Sequence, residues 1–556
     1  METTAYDRHG TERVSPAVTD ADAARASEIL SRYRAGKARL DARICDEALW
    51  WSARHGCVPA GDTRTGARPV SAWLFNSVCN KHADLCDARP VCKVLPREPD
   101  DEGEATLLSS ILPVITERCR FGETYSDNMW GKLKHGMTAY GVFWNPTLEN
   151  GVGDVDIRPV DVLNLFWEPG VRDIQESPHL FIVGLEDSEA LIARYPLLKE
   201  KRAAMREDGS LFTPDMSGSY TLYGSDGLAD KTAVVDWYYK RVTPEGRTVL
   251  HFAKFTGDVL LYASENDPAY AERGWYDHGL YPVVLDVMYP EEGTPAGFGL
   301  ISVGRNPQGY IDELDGHILE YAVGASRVRY WAKRSLGINE RDFLNPDKRI
   351  IEVEGDIDEE KLRQITLAPM DGMLTDVRRM KIDELKETTG NRDVSQGSTT
   401  GGVTAAQAIA ALQEAGNKGS RDVIAGSYRA FILVMQQVIE LIRQFYDGVR
   451  CFRIVGEDGG RRYLRYSNTG LQEIPVGMGA DGTCLYRRPV FDIEVRAERE
   501  DPLDRAERNQ LMLDLFRAGA FNAENAAAAE RMLMGLDLGG QESLFLPRAG
   551  GEGDRA

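Results

Sequence analysis

Apolar positions recur every three or four residues along much of the chain, the spacing typical of amphipathic helices. In residues 21–55 these positions include Leu30, Tyr33 and Ile44, and a helix is predicted there. A short helix is predicted near 187–206. The same spacing predicts longer helices at 71–87, 104–139, 303–328, 371–388, 403–446 and 502–538.

From Tyr140 to Trp167 the apolar period shortens to two, which is typical of half-buried strands. The intervening turn ENGVGD predicts a hairpin. Alternating or continuous apolar runs also predict strands within 231–264, 280–291 and 450–498. Helices and strands are not interleaved in a regular βαβ order, so the predicted fold class is α+β.

The length of the chain indicates how many domains to expect, and its net charge indicates how it would interact with nucleic acid. A chain of 556 residues is too long for one compact core, so several subdomains are expected. The formal net charge of −21 should repel nucleic acid in bulk, and any DNA contact should be local and weak.

No signal-peptide h-region and no membrane-spanning apolar run is present in the sequence. The eight cysteines form no CxxC pair, which favours reduced thiols in a cytoplasmic setting.

A polar, glycine-rich segment separates two predicted helices between Glu387 and Asp422. Residues Gly397–Thr404 have the spacing of a phosphate-binding loop, but Val403 stands where that motif requires lysine. Nucleotide hydrolysis is therefore disfavoured. Two interpretations stay open: a flexible loop with a threonine N-cap, or a weak contact with DNA phosphates that does not depend on base sequence.

Two other groups of polar residues have ordinary explanations. Cys79, His82 and Cys86 share one predicted helix face, so packing is favoured over a zinc site, which needs four ligands. The acidic run around Asp101 and Glu104 is interpreted as a solvated loop leading into a helix N-terminus rather than a magnesium site. No catalytic residue, metal or cofactor is predicted, because the HExxH, GxSxG and dinucleotide-binding patterns are missing from the sequence.

Three segments resemble portal proteins of tailed double-stranded DNA bacteriophages, the head-to-tail connector family. They are LFNSVCNKHADLCDARPVCKVLPREPDDEGEA, the pair WGKLKHGMTAYGVFWNP and GDVDIRPVDVLNLFWEPG, and ETTGNRDVSQGSTTGGVTAAQAIAALQEAGNKGSRD. The resemblance extends over about residues 25–450. It is weaker at the termini and in 190–300.

The resemblance implies a subunit with a mixed α/β wing, a two-helix stem, an inserted clip, a long kinked helix and a short helical crown. The expected boundaries, in chain order, are a disordered N-terminus at 1–20, wing at 21–302, stem helix at 303–328, clip at 329–370, stem helix at 371–388, tunnel loop at 389–403, long wing helix at 404–449, returning wing strands at 450–500, crown helices at 501–540 and a disordered tail at 541–556.

The family resemblance also implies a function and partners. The chain would form a homo-oligomeric ring, expected to be a dodecamer, at one capsid vertex of the virion after assembly in the host cytoplasm. The ring would be the channel for genome packaging and ejection. Its partners would be double-stranded DNA, the terminase large subunit, the major capsid and scaffolding proteins and a head-tail adaptor, with no membrane.

Candidate functional residues follow from this resemblance. Those expected to face DNA from the tunnel loop are Asn391, Arg392, Gln396, Ser398, Thr399 and Thr400. Basic clusters that a ring would repeat as belts of charge are Arg329, Lys333 and Arg334 in the clip, and Arg378, Arg379 and Lys381 in the second stem helix. The alternatives are a phosphoryl-transfer enzyme using the glycine-rich loop, and another ring component of the virion.

Overall fold

The computed structural model describes residues 17–55, 70–201, 212–213, 231–243, 246–326, 329–332, 341, 362–365, 370–391, 418–455, 461–478 and 484–497, with 510–511, 513–514 and 517 near the C-terminus. The helices are α1 (Asp20–His55), α2 (Trp73–Asp87), α3 (Glu102–Arg118), α4 (Phe121–His135), α5 (Ser188–Arg194), α6 (Leu300–Ser326), α7 (Gly372–Thr389) and α8 (Lys418–Phe445). Single 3-10 turns lie at Pro99–Asp101, Val162–Asn164, Ile174–Glu176, Pro196–Lys199, Ser264–Asn266 and Asn468–Leu471.

The strands are β1 (Pro90–Pro96), β2 (Met137–Asn145), β3 (Asp154–Val160), β4 (Leu165–Trp167), β5 (His179–Asp187), β6 (Lys231–Val242), β7 (Thr248–Thr256), β8 (Val259–Ala263), β9 (Val283–Val287), β10 (Tyr289–Pro290), β11 (Gly297–Phe298), β12 (Arg329–Ala332), β13 (Leu362–Ile365), β14 (Arg450–Val455), β15 (Arg461–Tyr466), β16 (Ile474–Met478), β17 (Cys484–Arg487) and β18 (Phe491–Ala497). This mixture of helices and strands confirms the predicted α+β class.

The chain divides into two compact units. Unit 1 comprises residues 1–58, 78–302 and 417–556, and unit 2 comprises 59–77 and 303–416. Each unit is therefore assembled from segments that are distant in sequence.

The largest sheet of unit 1 is antiparallel, in the order β4-β5-β6-β7-β8. Its strands alternate as the sequence predicts. Trp237 and Phe255 bury one face in a core shared with Tyr33 of α1, whereas Val234 and Leu261 bury the other face beside α5. Both faces of the sheet are covered, which explains why its strands contain so few exposed apolar residues.

A second sheet of unit 1, in the order β3-β2-β9, positions helix α8. The predicted β2–β3 hairpin is confirmed, with Ala139 opposite Val160 and Asn145 opposite Asp154. Helix α8 contacts β2 and β9. Its predicted apolar stripe is buried at Phe431, Met435, Val438 and Ile442.

Sequence periodicity missed several features of this unit, among them β5 (His179–Asp187), which was not predicted as a strand. The helix predicted at 104–139 is two helices, because Arg120 adopts a left-handed conformation with φ of 51° between α3 and α4. The segment that follows α2 was not predicted as a strand, yet β1 pairs along its whole length with β18, Pro90 facing Ala497 and Pro96 facing Phe491.

Helices α6 and α7 supply most of the described part of unit 2. Helices were predicted at 303–328 and 371–388, and the structure places them at Leu300–Ser326 and Gly372–Thr389. The segment between them contains the antiparallel pair β12–β13, with Arg329 opposite Ile365. Most of the predicted clip and the whole predicted glycine-rich loop after Asn391 lie outside the described residues.

Candidate functional site

Helices α6 and α7 are joined by an ion pair between facing side chains. Arg378 Nη2 donates to Asp315 Oδ2 at 3.3 Å, and Nε donates to Oδ1. Both side chains are partly shielded from water, with exposed fractions of 34% and 17%. A groove beside the pair is lined by Asp315, Ile318, Leu319, Thr375 and Arg378. The two-pronged geometry fixes the relative register of the helices, since a guanidinium and a carboxylate match in only a few orientations.

A buried amide network holds the start of α6 to the segment that precedes α2. Gln308 Nε2 donates to the Ser71 carbonyl oxygen at 2.9 Å, and its Oε1 accepts from the Leu74 backbone N–H at 3.0 Å. Asp312 Oδ1 accepts from the Ser71 backbone N–H and from its hydroxyl, both at 2.9 Å. These bonds satisfy polar groups that would otherwise be buried without partners.

The end of α7 is fixed where the predicted tunnel loop begins. Gly390 ends the helix with φ of 67°, and its N–H donates to the Glu387 carbonyl oxygen. Thr389 and Asn391 both donate from their side chains to Ser77 Oγ, at 3.1 and 3.3 Å. The left-handed cap is a conformation that glycine adopts without steric cost. The chain therefore enters the loop from an anchored position.

Asn391, one of the predicted DNA-facing residues, is buried in this anchor with 5% of its surface exposed. Its side chain is used within the subunit, because it donates to Ser77. The other predicted loop residues lie outside the described part of the chain; they are Arg392, Gln396, Ser398, Thr399 and Thr400.

The three basic residues predicted on α7 do not form one continuous surface of positive charge. Arg378 is neutralised by Asp315. Lys381 pairs with Glu384 at 2.6 Å and lies 5.6 Å from the centre of the Tyr310 ring. Arg379 is exposed. In the clip cluster, Arg329 lies in β12 with its side chain outside the described set, and Lys333 and Arg334 lie outside it entirely.

Five large apolar side chains of α6 and α7 are exposed in the single chain. Each of these residues has about half or more of its surface exposed to solvent. They are Tyr310, Leu319, Val323, Met373 and Met380. On the same helices Ile311, Ile382 and Leu385 are buried. Large exposed apolar patches are typical of surfaces that contact another protein, and these side chains could contribute to one where they lie close together.

The acidic run at the start of α3 is not simply a solvated loop, as the sequence suggested. Asp101 is buried and accepts two hydrogen bonds from Arg487, at 2.6 and 3.0 Å. Glu104 accepts from the Tyr466 hydroxyl at 2.5 Å, and burial raises the pKa of its carboxyl. These carboxylates stabilise contacts with the returning strands of unit 1.

The cysteine and histidine positions on α2 take part in packing contacts. His82 Nε2 lies 3.1 Å from the Ser126 carbonyl oxygen, and its ring meets Trp130 edge to face at 4.9 Å between centroids. Burial raises the pKa of the Cys86 thiol. Among the described residues, no three metal-ligating side chains are grouped as an ion would require.

Comparison with known protein families adds to these observations. A family model described as Phage P22-like portal protein matches residues 333–542. This match supports the resemblance to phage portal proteins that was found in the sequence. No curated protein matches the chain. No helix of the described ranges is long and apolar enough to cross a membrane.

Several residues of the site were not predicted from the sequence. Asp315 is one acidic residue among many on a helical surface, and nothing in its spacing indicates that it pairs with Arg378. Ser77 lies more than 300 positions before the loop that it anchors. Only the fold brings these partners together.

Proposed function

We propose that the chain forms a ring at one capsid vertex and that the ring is the channel through which the phage genome is packaged and ejected. The match of the P22-like portal family to residues 333–542 carries this proposal. In the ring, α6 and α7 serve as the stem and the segment between them as the clip. The terminase large subunit docks on the clip, and the virion's adaptor, major capsid and scaffolding proteins contact other faces.

Contacts between neighbouring subunits bury the exposed apolar side chains of α6 and α7. In the single chain Met380 is 68% exposed and Leu319 is 51% exposed. A neighbouring subunit can cover this apolar surface and remove it from water. Burying such side chains contributes about 25 cal/mol for each Å² of apolar area removed from water. Repeated around a closed ring, this contribution favours assembly over a free subunit.

The loop after Asn391 reaches the channel and touches DNA phosphates without selecting a base sequence. Its start is fixed by Gly390 and Ser77, while its hydroxyl and amide groups, with Arg392, supply weak polar contacts. The net charge of −21 opposes tight binding of DNA by the rest of the chain. A polymer that must slide through the channel requires this balance of weak contact and repulsion.

Assembly can be tested by mass photometry of the purified chain and of two variants. The wild-type protein should form particles of about twelve subunits of 61.8 kDa each. The variant Leu319→Glu/Met380→Glu should remain folded, because both positions are exposed and glutamate is a good helix former, but it should assemble poorly. The control Val242→Glu alters an apolar residue of unit 1 that is 71% exposed.

The control should assemble like the wild type. A wild-type protein that stays monomeric at high concentration would contradict the ring. Equal assembly of all three proteins would leave the ring intact but would reject α6 and α7 as its contact faces.

A further inference from the structure

The hairpin β14–β15 of unit 1 has one buried face and one exposed face. Directly opposite residues of an antiparallel pair share a face, and successive residues alternate between faces. Phe452 and Tyr466 are almost completely buried, and they belong to the inward face. On the outward face Cys451 is opposite Arg465, and Arg453 is opposite Tyr463. The described side chains at these four outward positions are all exposed.

This outward face is basic in an acidic protein. The strands RCFRIV and RRYLRY contain no aspartate or glutamate, although the chain as a whole has 87 acidic and 66 basic residues. Tyr463, between the two arginines, has 71% of its surface exposed. An exposed aromatic ring flanked by guanidinium groups is a surface suited to a polyanion.

Arginines elsewhere on the described surface are commonly held by carboxylates. Examples are Arg97 with Asp492, Arg194 with Glu186, Arg273 with Asp277 and Arg496 with Glu494. By contrast, Arg453 and Arg465 have no carboxylate partner within the described ranges. No described carboxylate therefore competes with an external anion for these two guanidinium groups.

We infer that the outward face of β14–β15 binds phosphates of double-stranded DNA, an inference that rests on the proposed function as a genome channel. Arg453 and Arg465 are diagonal neighbours on the ribbon, a placement that sets the two residues about 7–8 Å apart and their Cβ atoms somewhat closer. Two guanidinium groups so placed can bind separate phosphates of one backbone, and arginine suits phosphate because its planar fork donates two parallel hydrogen bonds. Base edges are not contacted, so binding is independent of sequence.

The salt dependence of DNA affinity tests this assignment. Fluorescence anisotropy of a short labelled duplex of random sequence is measured with the full-length protein between about 50 and 200 mM salt. Each lost phosphate contact reduces the slope of log affinity against log salt by about 0.9, so Arg453→Gln/Arg465→Gln should reduce it by about 1.8 for each bound hairpin. Arg453→Lys/Arg465→Lys, which keeps both charges, should retain the slope.

The matched control is Arg97→Gln/Arg496→Gln, which removes the same two charges from exposed arginines that are already paired. Its slope should equal that of the wild type. Equal slopes for the hairpin variant and the control would overturn the assignment.

Mass photometry of the same preparations separates this inference from the proposed function. If the wild type forms rings and the hairpin glutamine variant does not, Arg453 and Arg465 contact a second copy of the chain, and the phosphate assignment is overturned. If the wild type itself forms no ring, the proposed function fails, while the comparison of slopes still decides whether the hairpin binds DNA.

Discussion

Lys132 is the residue whose replacement should most damage the packing of α8 in unit 1. Its Nζ donates to Asp286 Oδ1 at 2.6 Å, to Ser427 Oγ at 2.8 Å and to the Val423 carbonyl oxygen at 3.2 Å. The side chains of Lys132 and Asp286 are 0% and 1% exposed. One ammonium group thus joins α4, β9 and α8 in the interior.

Replacing Lys132 with methionine keeps most of the side-chain volume and removes the charge. Asp286 is then buried without a cation, and its Oδ2 already has no hydrogen-bond partner among the residues that the structure describes. Breaking a buried ion pair from one side costs about 3–5 kcal/mol, because the remaining charge stays desolvated. The double variant Lys132→Met/Asp286→Leu removes both charges and should recover a large part of this loss, since apolar replacement of a whole buried pair is often neutral.

Thermal unfolding followed by tryptophan fluorescence, at one protein concentration, measures the effect. Lys132→Met should lower Tm by several degrees. The control Lys93→Met replaces an exposed lysine of β1 and should leave Tm unchanged. A Tm for Lys132→Met within about 1 °C of the wild type would show that the buried ion pair does not stabilise unit 1. A double variant less stable than the single variant would show the same.

Three further predictions concern other contacts. Gly136→Ala should destabilise unit 1 by more than about 2 kcal/mol in urea unfolding, because a Cβ at φ of 86° would lie 2.0 Å from the Phe298 carbonyl carbon. Burial lowers the pKa of His278 from 6.5 to about 4, so the unfolded chain binds more protons between these values. The stability of the wild type should therefore fall as pH decreases through this range, and His278→Gln should show a shallower fall in a pH series of melts. In a double-mutant cycle, Arg378→Ala and Asp315→Ala should be non-additive by about 0.5–1 kcal/mol; additivity would mean that the pair does not couple α6 to α7.

Periodicity predicted the elements with a clear apolar pattern. Helices α1, α6 and α7 lie close to their expected positions, and β6 to β8 lie within the predicted strand region 231–264, whereas β5 was not predicted. The strand β1 was missed because its two prolines and Lys93 obscure the alternation, and its partner β18 is about 400 residues away. The break at Arg120 was missed because a left-handed conformation in a non-glycine residue has no sequence signal of the kind that glycine provides.

The two helices beside the candidate site were predicted, but the pairings of their side chains were not. The order helix, insertion and helix followed from the pattern and from the family resemblance. Whether a charged residue is free or paired depends on tertiary structure, so the sequence could not separate Arg378, which is neutralised, from Arg379, which is exposed. Likewise Asn391 belongs to a polar loop in sequence, yet in the structure its side chain is buried and donates a hydrogen bond to Ser77.

Electron microscopy of the purified 556-residue protein is the decisive test of the proposed ring. Circular particles of about twelve subunits with a central opening are expected, and they should be lost in Leu319→Glu/Met380→Glu but not in Val242→Glu. Fields that contain only single subunits of 61.8 kDa at high protein concentration would rule out the ring.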